Sequence, residues 1–367
     1  MIYCPIHRQR VRKAAWLLLL GVWLLAACGA AGATDVAAPT AAVASPTTAV
    51  ASSTTDVGPP TTAAVRLTLR STLQPTPTAS PTATVVPPAP TPAPPTRTPT
   101  ATRTPPTGAL VVSIDGLRPD AIPLADTPNL DRLIARGAIA WRAQTVLPSV
   151  TLPGHVSMLS GTSPEVHGVR WNSYQPERGH VTVPTLFSVA HDAGLTTAMF
   201  VGKVKLAHIA VPGTVDTYAY VASGDAQVAR QAAEHLRAAS PAVLFVHLPD
   251  VDTTGHQDGW LSAPQLDAVT RADAAVGVLL EALGALGRLE DTLIVVTADH
   301  GGLGTGHGGA EPESMTIPWL IAGPGIRQGY TVQREVRVYD TAVTVAWALG
   351  LPLPAEWEGR LIVEAFE

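Results

Sequence analysis

Five apolar runs of strand length recur along the chain between residues 109 and 322. They lack the polar/apolar alternation of a half-exposed strand, which predicts strands covered on both faces, as in a parallel sheet. The runs are Ala109–Ile114, Thr197–Val201, Val243–His247, Leu293–Thr297 and Ile317–Ala322.

Helical patterns separate these runs. The first begins at Thr127 and Pro128, a cap residue followed by proline in the first turn, and ends at Gly137. Longer helices are predicted over Asp225–Ala239, Pro264–Leu283 and Asp340–Leu349. Strands that alternate with helices predict an α/β fold with a doubly wound, mainly parallel sheet and helices on both faces. Because ligands of such folds bind beyond the carboxyl ends of the strands, polar residues directly after the strands are the first candidates for function.

The first 28 residues follow the pattern of a secretory signal. A basic start precedes the apolar run Ala14–Ala26, which is shorter than the roughly 20 apolar residues that a membrane-spanning helix needs. The run leads into Leu25-Ala26-Ala27-Cys28, which resembles the lipobox of bacterial lipoproteins. We therefore expect a lipoprotein signal peptide over residues 1–28, lipidation of Cys28, and export to the cell envelope with an anchor on the outer face of the membrane. The alternative is an ordinary signal peptide in which Cys28 is incidental.

Residues 29–107 consist mainly of Ala, Thr, Pro and Ser. Such a segment has few bulky apolar side chains to bury, so it is expected to be a disordered linker, partly in polyproline II conformation. It would act as a tether that holds a domain away from the membrane, or as a spacer without a specific role. Residues 108–367 remain, and they are long enough for one sizeable α/β domain.

Charge and cysteine content narrow the chemistry of that domain. Charged residues make up 14% of the chain and the net charge is −5, without a Lys/Arg cluster beyond the extreme N-terminus. These values argue against a nucleic-acid-binding surface. The two cysteines, Cys4 and Cys28, both precede the domain. Any metal in the domain must therefore be bound by His, Asp, Glu or hydroxyl groups.

Six ionisable side chains occur where the predicted fold would gather ligands. One follows the first strand directly, and the others follow two later strands or the loop after them. They are Asp115, Asp252, His256, Asp299, His300 and His307. Any one of them alone is more typical of a turn, a helix cap or a solvated loop. Together, three carboxylates and three imidazoles at one rim of a sheet predict a metal site, and mixed His/Asp ligation suits zinc.

A threonine in the loop Leu147–His155 is the candidate nucleophile. Pro153 predicts the start of a helix, which places Thr151 near a helix N-terminus, where free N–H groups favour an anion. A threonine hydroxyl is a poor nucleophile at neutral pH, and coordination to a metal lowers its pKa. The alternative is a Pro/Gly-rich loop that leads into a helix without any chemical role.

These motifs resemble those of the alkaline phosphatase superfamily and, within it, the type I phosphodiesterase/nucleotide pyrophosphatase branch. The resemblance covers nearly all of residues 109–367. It rests on Asp-Gly at 115–116, Thr-x-Pro-x-His at 151–155, His-Gly followed by Asn at 167–172, Asp-x-x-x-His at 252–256, Asp-His-Gly at 299–301 and the later His307. The segments at 127–133 and 321–326 are also similar to this superfamily.

The resemblance implies an alkaline phosphatase-like catalytic domain with two divalent metal ions, expected to be zinc, that acts on a small-molecule phosphate ester. It assigns Asp252, His256 and His307 to one metal and Asp115, Thr151, Asp299 and His300 to the other. Thr151 would attack phosphorus and form a phosphothreonine, while Asn172 would hydrogen-bond a non-bridging phosphoryl oxygen. The nearby histidines expected to support or pack against the site without ligating metal are His155, His167 and His247.

The chain departs from large nucleotide pyrophosphatases in one place. Those proteins carry a long segment between the Asp-His pair and the final histidine, whereas six residues separate His300 from His307 here. The short segment leaves nucleotide specificity open and limits the expected cap to a small insertion at residues 170–225. Lys203 and Lys205 lie in this range as candidate substrate-binding cations, with exposed surface lysines as the alternative.

Hydrolysis of phosphodiester or pyrophosphate bonds outside the cytoplasm is the leading hypothesis. A broad phosphomonoesterase or a phosphonate hydrolase would use the same site. A sulfatase is disfavoured, because Thr151 and His155 stand where sulfatases carry Cys or Ser and then Arg. A non-catalytic surface binding lipoprotein has no need of the complete ligand set. The short spacing also suits a phosphosugar mutase, but export does not fit a metabolic isomerase.

Overall fold

An eight-stranded sheet forms the centre of the computed structural model, which describes residues 105–367. The strands are β1 Gly108–Ile114, β2 Gly137–Gln144, β3 Thr197–Val201, β4 Thr217–Tyr220, β5 Val243–Leu248, β6 Thr292–Thr297, β7 Thr316–Ala322 and β8 Tyr330–Thr331. Their order in the sheet is β4-β3-β5-β1-β6-β7-β2-β8. The predicted signal peptide with Cys28, and the predicted linker up to residue 104, lie outside the described residues.

The three central strands bury every one of their residues, as their unbroken apolar pattern predicts. β1 runs parallel to β5 on one side and to β6 on the other. Ser113 is level with His247 of β5 and with Thr297 of β6. Because the strands end at the same level, the residues that follow them meet at one edge of the sheet.

Helices cover the sheet in two groups. The nine α-helices within residues 105–367 are α1 Pro128–Arg136, α2 Thr151–Ser160, α3 Pro164–His167, α4 Leu186–Asp192, α5 Asp225–Ala239, α6 Asp250–Asp258, α7 Ala263–Ala285, α8 Pro312–Met315 and α9 Asp340–Ala348. α7 packs against α1, α5 and α6, whereas α9 packs against α2 and α4. The predicted α/β class and the four predicted helices are confirmed. No helix in this part of the chain combines the length and apolar character that crossing a membrane requires.

The sheet is mixed, because β7 runs antiparallel to both of its neighbours. β2, which the sequence analysis does not identify, begins at Gly137 directly after α1 and pairs with β7. An apolar run does not reveal its direction, since that depends on pairing with distant strands. The segment 321–326, which resembles the superfamily, begins at the end of β7. Because β7 is antiparallel to β6, this segment lies at the edge of the sheet opposite to the carboxyl ends of β1, β5 and β6.

The expected cap at residues 170–225 needs a correction in its extent. Within this range, β3 pairs with β5 and β4 pairs with β3, so both strands belong to the central sheet. The rest of the range lies outside the sheet, and it includes α4 and a short 3-10 helix at Val204–Ile209. The range therefore supplies two strands and a helix to the domain itself and does not form a separate insertion.

Candidate metal centre and active site

The ends of the three central strands bring three carboxylates together. Asp115 follows β1 directly, Asp299 lies two residues beyond the end of β6, and Asp252 lies in the first turn of α6 after β5. All three are almost completely buried, with at most 3% of each residue exposed. The Gly116 N–H donates to Asp299 Oδ1 at 3.2 Å, which ties two of the strand ends to each other. Three buried carboxylates are costly to keep together unless positive charge accompanies them.

Three imidazoles surround these carboxylates. His300 Nε2 lies 3.3 Å from Asp115 Oδ1 and 3.3 Å from Asp299 Oδ2. On the other side, His307 Nε2 lies 3.3 Å from Asp252 Oδ1. His256, one turn after Asp252 on α6, places its Nε2 3.0 Å from His307 Nε2. The six Asp and His residues among the seven predicted metal ligands thus lie in one cluster.

The Nδ1 atoms of the three histidines share one kind of partner. His256 Nδ1 lies 2.9 Å from the carbonyl oxygen of Thr305, and His307 Nδ1 lies 2.9 Å from that of Ser149. His300 Nδ1 lies 2.8 Å from its neighbour's carbonyl oxygen. Since a carbonyl can only accept, each Nδ1 carries a proton, and Nε2 is the ring nitrogen that faces the carboxylates and could ligate a metal ion. This is the arrangement of metal-ligating histidines.

Buried polar atoms that lack a hydrogen-bond partner indicate whether these residues fit a metal ion. Among the described residues, buried atoms without a hydrogen-bond partner include Asp115 Oδ1, Asp252 Oδ1, Asp299 Oδ2 and His300 Nε2. All four are of the kinds that ligate metal ions, and all four belong to the cluster. Two groups of ligand atoms lie within 4.8 Å of one another, namely Asp252 with His256 and His307, and Asp115 with Asp252 and His300. The donor set fits divalent cations, and its mixed oxygen and nitrogen character suits zinc.

One lysine offsets part of the negative charge. Lys203 Nζ lies 2.7 Å from Asp115 Oδ2 and 2.5 Å from Asp252 Oδ2. Burial would raise the pKa of Asp115, but the Lys203 ammonium and the neighbouring His247 and His300 rings hold it well below its usual range. Burial and the Asp115 charge raise the pKa of Asp299 to about 7. Burial alone would lower the pKa of His300, but the surrounding carboxylates raise it to about 9. Such opposed shifts are typical of functional sites.

Thr151 lies beside this cluster as the first residue of α2. It is 1% exposed, and Lys203 Nζ donates to its Oγ1 at 3.4 Å. His155, one turn later, holds the turn in place, because its Nδ1 lies 2.7 Å from the Thr151 carbonyl oxygen and its Nε2 lies 2.8 Å from Ser113 Oγ. The predicted nucleophile is therefore near the metal-ligand cluster, at the start of a helix.

Asn172 reaches the same helix start from the loop after α3. Its Oδ1 accepts hydrogen bonds from the Leu152 N–H at 3.0 Å and from Lys205 Nζ at 3.1 Å. Both lysines proposed from the sequence therefore point at the site, Lys203 toward the nucleophile and Lys205 toward the amide. They are not surface lysines in solvent.

Trp260 is a supporting residue that the sequence analysis does not identify. Its Nε1 donates to the Gly116 carbonyl oxygen at 2.8 Å, and its ring meets those of His256 and His307 edge-on, with centroids 5.3 and 5.8 Å away. A Cβ on Gly302 would lie 2.2 Å from the indole, so this position requires glycine. The sequence signal is a lone tryptophan four residues after His256.

Fold and site together define a protein of the alkaline phosphatase superfamily, a group built around metal ions at the strand ends of a mixed sheet. A family model described as type I phosphodiesterase/nucleotide pyrophosphatase matches residues 109–306. The chain belongs to this family. Its members depend on metal ions, and the region that matches includes every predicted ligand except His307.

Relatives and solved structures agree with this placement. The chain is 25% identical over 216 residues to bis(5'-adenosyl)-triphosphatase ENPP4 of Bos taurus, an alignment that covers 53% of this chain and 48% of that protein. It is 28% identical over 221 residues to ectonucleotide pyrophosphatase/phosphodiesterase family member 7 of Homo sapiens, covering 52% of this chain and 47% of that protein. The chain thus spans about half the length of these curated relatives.

Murine ectonucleotide pyrophosphatase/phosphodiesterase 5 has the same fold, with a TM-score of 0.59 at 17% identity, covering 67% of this chain and 96% of that chain. A 2-O GAG sulfatase also has this fold, with a TM-score of 0.59 at 19% identity, covering 70% of this chain and 73% of that chain.

Proposed function

We propose that the protein is an exported, metal-dependent hydrolase of phosphodiester or pyrophosphate bonds that works through a phosphothreonine on Thr151. One observation carries the proposal. Three histidines donate Nδ1–H to backbone carbonyls and direct Nε2 at three buried carboxylates, and the nucleophile candidate lies beside them. Membership of the phosphodiesterase/nucleotide pyrophosphatase family supports the choice of reaction.

The proposed occupants of the cluster are two zinc ions. Asp252, His256 and His307 would hold one, and Asp115, Thr151, Asp299 and His300 would hold the other. The short distances from Asp252 to His307 and from His300 to Asp115 and Asp299 support this division. When bound, the metals lower the pKa of the coordinated hydroxyl and neutralise charge on the reacting oxygens.

The protein's own groups supply the positioning. Thr151 Oγ would attack phosphorus, the bond to the leaving oxygen would break, and water would then cleave the phosphothreonine and release the phosphate product. Asn172 Oδ1 is already occupied as an acceptor, so its Nδ2 is the group free to donate to a non-bridging oxygen. A preorganised amide donor of this kind typically contributes roughly 3 kcal/mol to such a step.

A broad phosphomonoesterase or phosphonate hydrolase is the second candidate, and the two lysines favour it. A phosphate monoester carries one more charged oxygen than a diester, so its hydrolysis gains more from cationic donors. Lys203 and Lys205 place two ammonium groups against Thr151 and Asn172. This is the place that a transferred phosphoryl group would take.

We also propose that the enzyme is anchored to the outer face of a bacterial membrane. The lipobox-like sequence ending in Cys28 supports this location. The Ala/Thr/Pro/Ser-rich residues 29–107 would then act as the tether between the anchor and the domain.

Comparative kinetics of the full-length, detergent-solubilised protein loaded with zinc test the function. We expect the highest kcat/KM on bis-aryl phosphate or nucleoside phosphodiester, a lower value on aryl phosphate, and none on aryl sulfate. Highest turnover on aryl phosphate would select the second candidate instead. Absence of turnover on every phosphorus ester would refute the enzyme assignment.

Thr151→Ala tests the nucleophile in the same assay. We expect turnover to fall by about 10³-fold or more while the metal content stays near two per chain, because six other ligands remain. Thr151→Ser, which keeps a hydroxyl, is the matched control and should retain measurable activity. Loss of both metals from Thr151→Ala would show that the residue is chiefly a structural ligand.

A further inference from the structure

His247 is a buried histidine whose ring contacts a predicted metal ligand without being one itself. It is the fifth residue of β5, it is 0% exposed, and its neighbours in the strand are apolar. Its Nε2 lies 2.8 Å from Asp115 Oδ2 across the β1–β5 pair. A polar ring in the interior of a central strand needs a reason, since burying it costs free energy unless both nitrogens are satisfied.

Backbone geometry fixes the tautomer of this ring. The Gly202 N–H, directly after β3, donates to His247 Nδ1 at 3.1 Å and shares its proton with the His247 carbonyl oxygen at 3.3 Å. An N–H can only donate, so Nδ1 is the acceptor and Nε2 carries the proton. The ring therefore donates Nε2–H to Asp115. The donor position requires glycine, because a Cβ on residue 202 would lie 2.3 Å from the Pro249 ring.

This hydrogen bond divides the roles of the two Asp115 oxygens. Oδ2 accepts from His247 and also contacts Lys203 Nζ at 2.7 Å. Oδ1 is one of the buried atoms without a partner, and it lies 3.3 Å from His300 Nε2. With Oδ2 occupied by protein donors, the carboxylate cannot rotate without losing them, and only Oδ1 is free for a metal ion.

We infer that His247 is a positioning residue that fixes Asp115 as a one-oxygen metal ligand, through a chain that runs from the Gly202 N–H to the His247 ring to the Asp115 carboxylate. The inference rests on the proposed function only in taking Asp115 as a ligand. It differs from the usual supporting pattern, in which a carboxylate orients a ligating histidine. Here a neutral histidine orients the ligating carboxylate.

Two substitutions of His247 test the hydrogen bonds of Nε2 and Nδ1 separately. His247→Gln can place an amide N–H where Nε2–H stands and still donate to Asp115. His247→Asn can place an oxygen where Nδ1 stands and accept from Gly202, but it is too short to reach Asp115. The measurement is the Zn²⁺ affinity of the full-length protein, obtained by competition with a chelating dye. His235→Gln is the control, since His235 is a half-buried histidine on α5 that packs on Phe200 away from the ligands.

We expect His247→Asn to weaken Zn²⁺ binding at the Asp115 site by about 10- to 100-fold, the usual effect of losing a residue that orients a ligand. His247→Gln should stay within about threefold of wild type, and so should His235→Gln. If His247→Gln loses zinc as severely as His247→Asn, or if neither variant changes the affinity, the inference is wrong. Should His247→Asn not fold, His247→Leu, which has no donor for Asp115, takes its place in the comparison with His247→Gln.

A double-mutant cycle distinguishes positioning from general packing. If His247 acts through Asp115, then adding His247→Asn to Asp115→Asn should cause no further loss of zinc affinity. Additive losses would mean that His247 acts independently of Asp115, which would overturn the inference. Failure of the proposed function looks different, because the wild-type protein would then hydrolyse no phosphorus ester whatever the zinc affinities of the His247 variants.

Discussion

Lys203 and Lys205 lie two residues apart at the start of the 3-10 helix Val204–Ile209, yet their ammonium groups have different partners. Lys203 bridges Asp115 and Asp252, both predicted metal ligands, so its removal would disturb the proposed metal site itself. Within residues 105–367, the Lys205 ammonium hydrogen-bonds only to the Asn172 side chain. Burial, followed by the like charge of Lys203, lowers the pKa of Lys205. Lys205 is therefore the cleaner probe of how the site treats substrate charge.

Lys205→Ala should separate the monoesterase from the diesterase reaction. A hydrogen bond to a charged group contributes about 1.5–3 kcal/mol, which corresponds to about 10- to 100-fold in rate. We expect kcat/KM for an aryl phosphate to fall by that factor, while a bis-aryl phosphate loses less than about threefold, because a diester lacks the extra charged oxygen. Steady-state kinetics on the two substrates provide the measurement.

Arg170→Ala is the matched control for this prediction. Arg170 is a cation two residues before Asn172 whose guanidinium pairs with Glu165 at 2.6 Å, outside the metal cluster. It should leave both rates unchanged. Equal losses on the two substrates in Lys205→Ala, or no loss on either, would show that Lys205 does not read the charge of the substrate.

At the scale of the elements, the approach of α2 to the end of β6 determines where the Thr151 hydroxyl lies. Gly154, in the first turn of α2, makes this approach close. A Cβ on Gly154 would lie 2.7 Å from the Asp299 carbonyl oxygen and 3.1 Å from Asp299 Cβ. The missing side chain lets α2, which carries the predicted nucleophile, touch the end of β6, after which two of the predicted ligands lie.

Gly154→Ala should therefore move α2 away from Asp299, although alanine is the better helix former. We expect Tm to fall by about 2–10 °C from overpacking, and kcat to fall by about 10- to 100-fold as Thr151 is displaced. Differential scanning calorimetry and steady-state kinetics measure the two effects.

Gly284→Ala serves as the control for that substitution. Gly284 lies in α7, and a Cβ there meets nothing within 4 Å. It should raise Tm slightly, by the helix propensity of alanine, and leave kcat unchanged. Wild-type kcat and Tm in Gly154→Ala would mean that the contact with Asp299 does not hold the nucleophile in place.

The elements that sequence could predict are those whose pattern is local. The central strands can be recognised as unbroken apolar runs. The helices can be recognised by their cap residues and by proline and glycine at their ends. β2 follows α1 without a loop, and β4 and β8 are too short to stand out. The antiparallel direction of β7 depends on pairing with β2 and β6, which no local pattern encodes.

At the scale of the whole molecule, the same distinction applies to the site. All of the candidate ligands could be named from the sequence, because the residues that follow parallel strands lie at one edge of the sheet whatever the details of packing. His247 could be named as a neighbour of the site, but its partner could not, and Trp260 was not found, since these contacts depend on register and loop conformation. His247 reaches Asp115 only because β5 lies beside β1, and Trp260 supports two ligands only because three separate loops meet around it.

Cys28 governs the proposed location of the whole molecule, and the chain offers its own control. Anchoring by lipid requires the cysteine that follows the signal peptide, whereas Cys4 precedes the cleavage site and would be removed with it. Expressed in a bacterium that processes lipoproteins, the wild-type protein and Cys4→Ser should both partition into the detergent phase of a Triton X-114 extract.

Cys28→Ser should move to the aqueous phase with kcat unchanged, because the predicted catalytic residues all lie within 115–307, far along the chain from Cys28. Phase partitioning followed by immunoblotting and a phosphodiesterase assay measures both properties. If Cys28→Ser stayed in the detergent phase, the attachment to the membrane would have to come from a different part of the chain. Release of Cys4→Ser as well would show that the lipobox assignment is wrong.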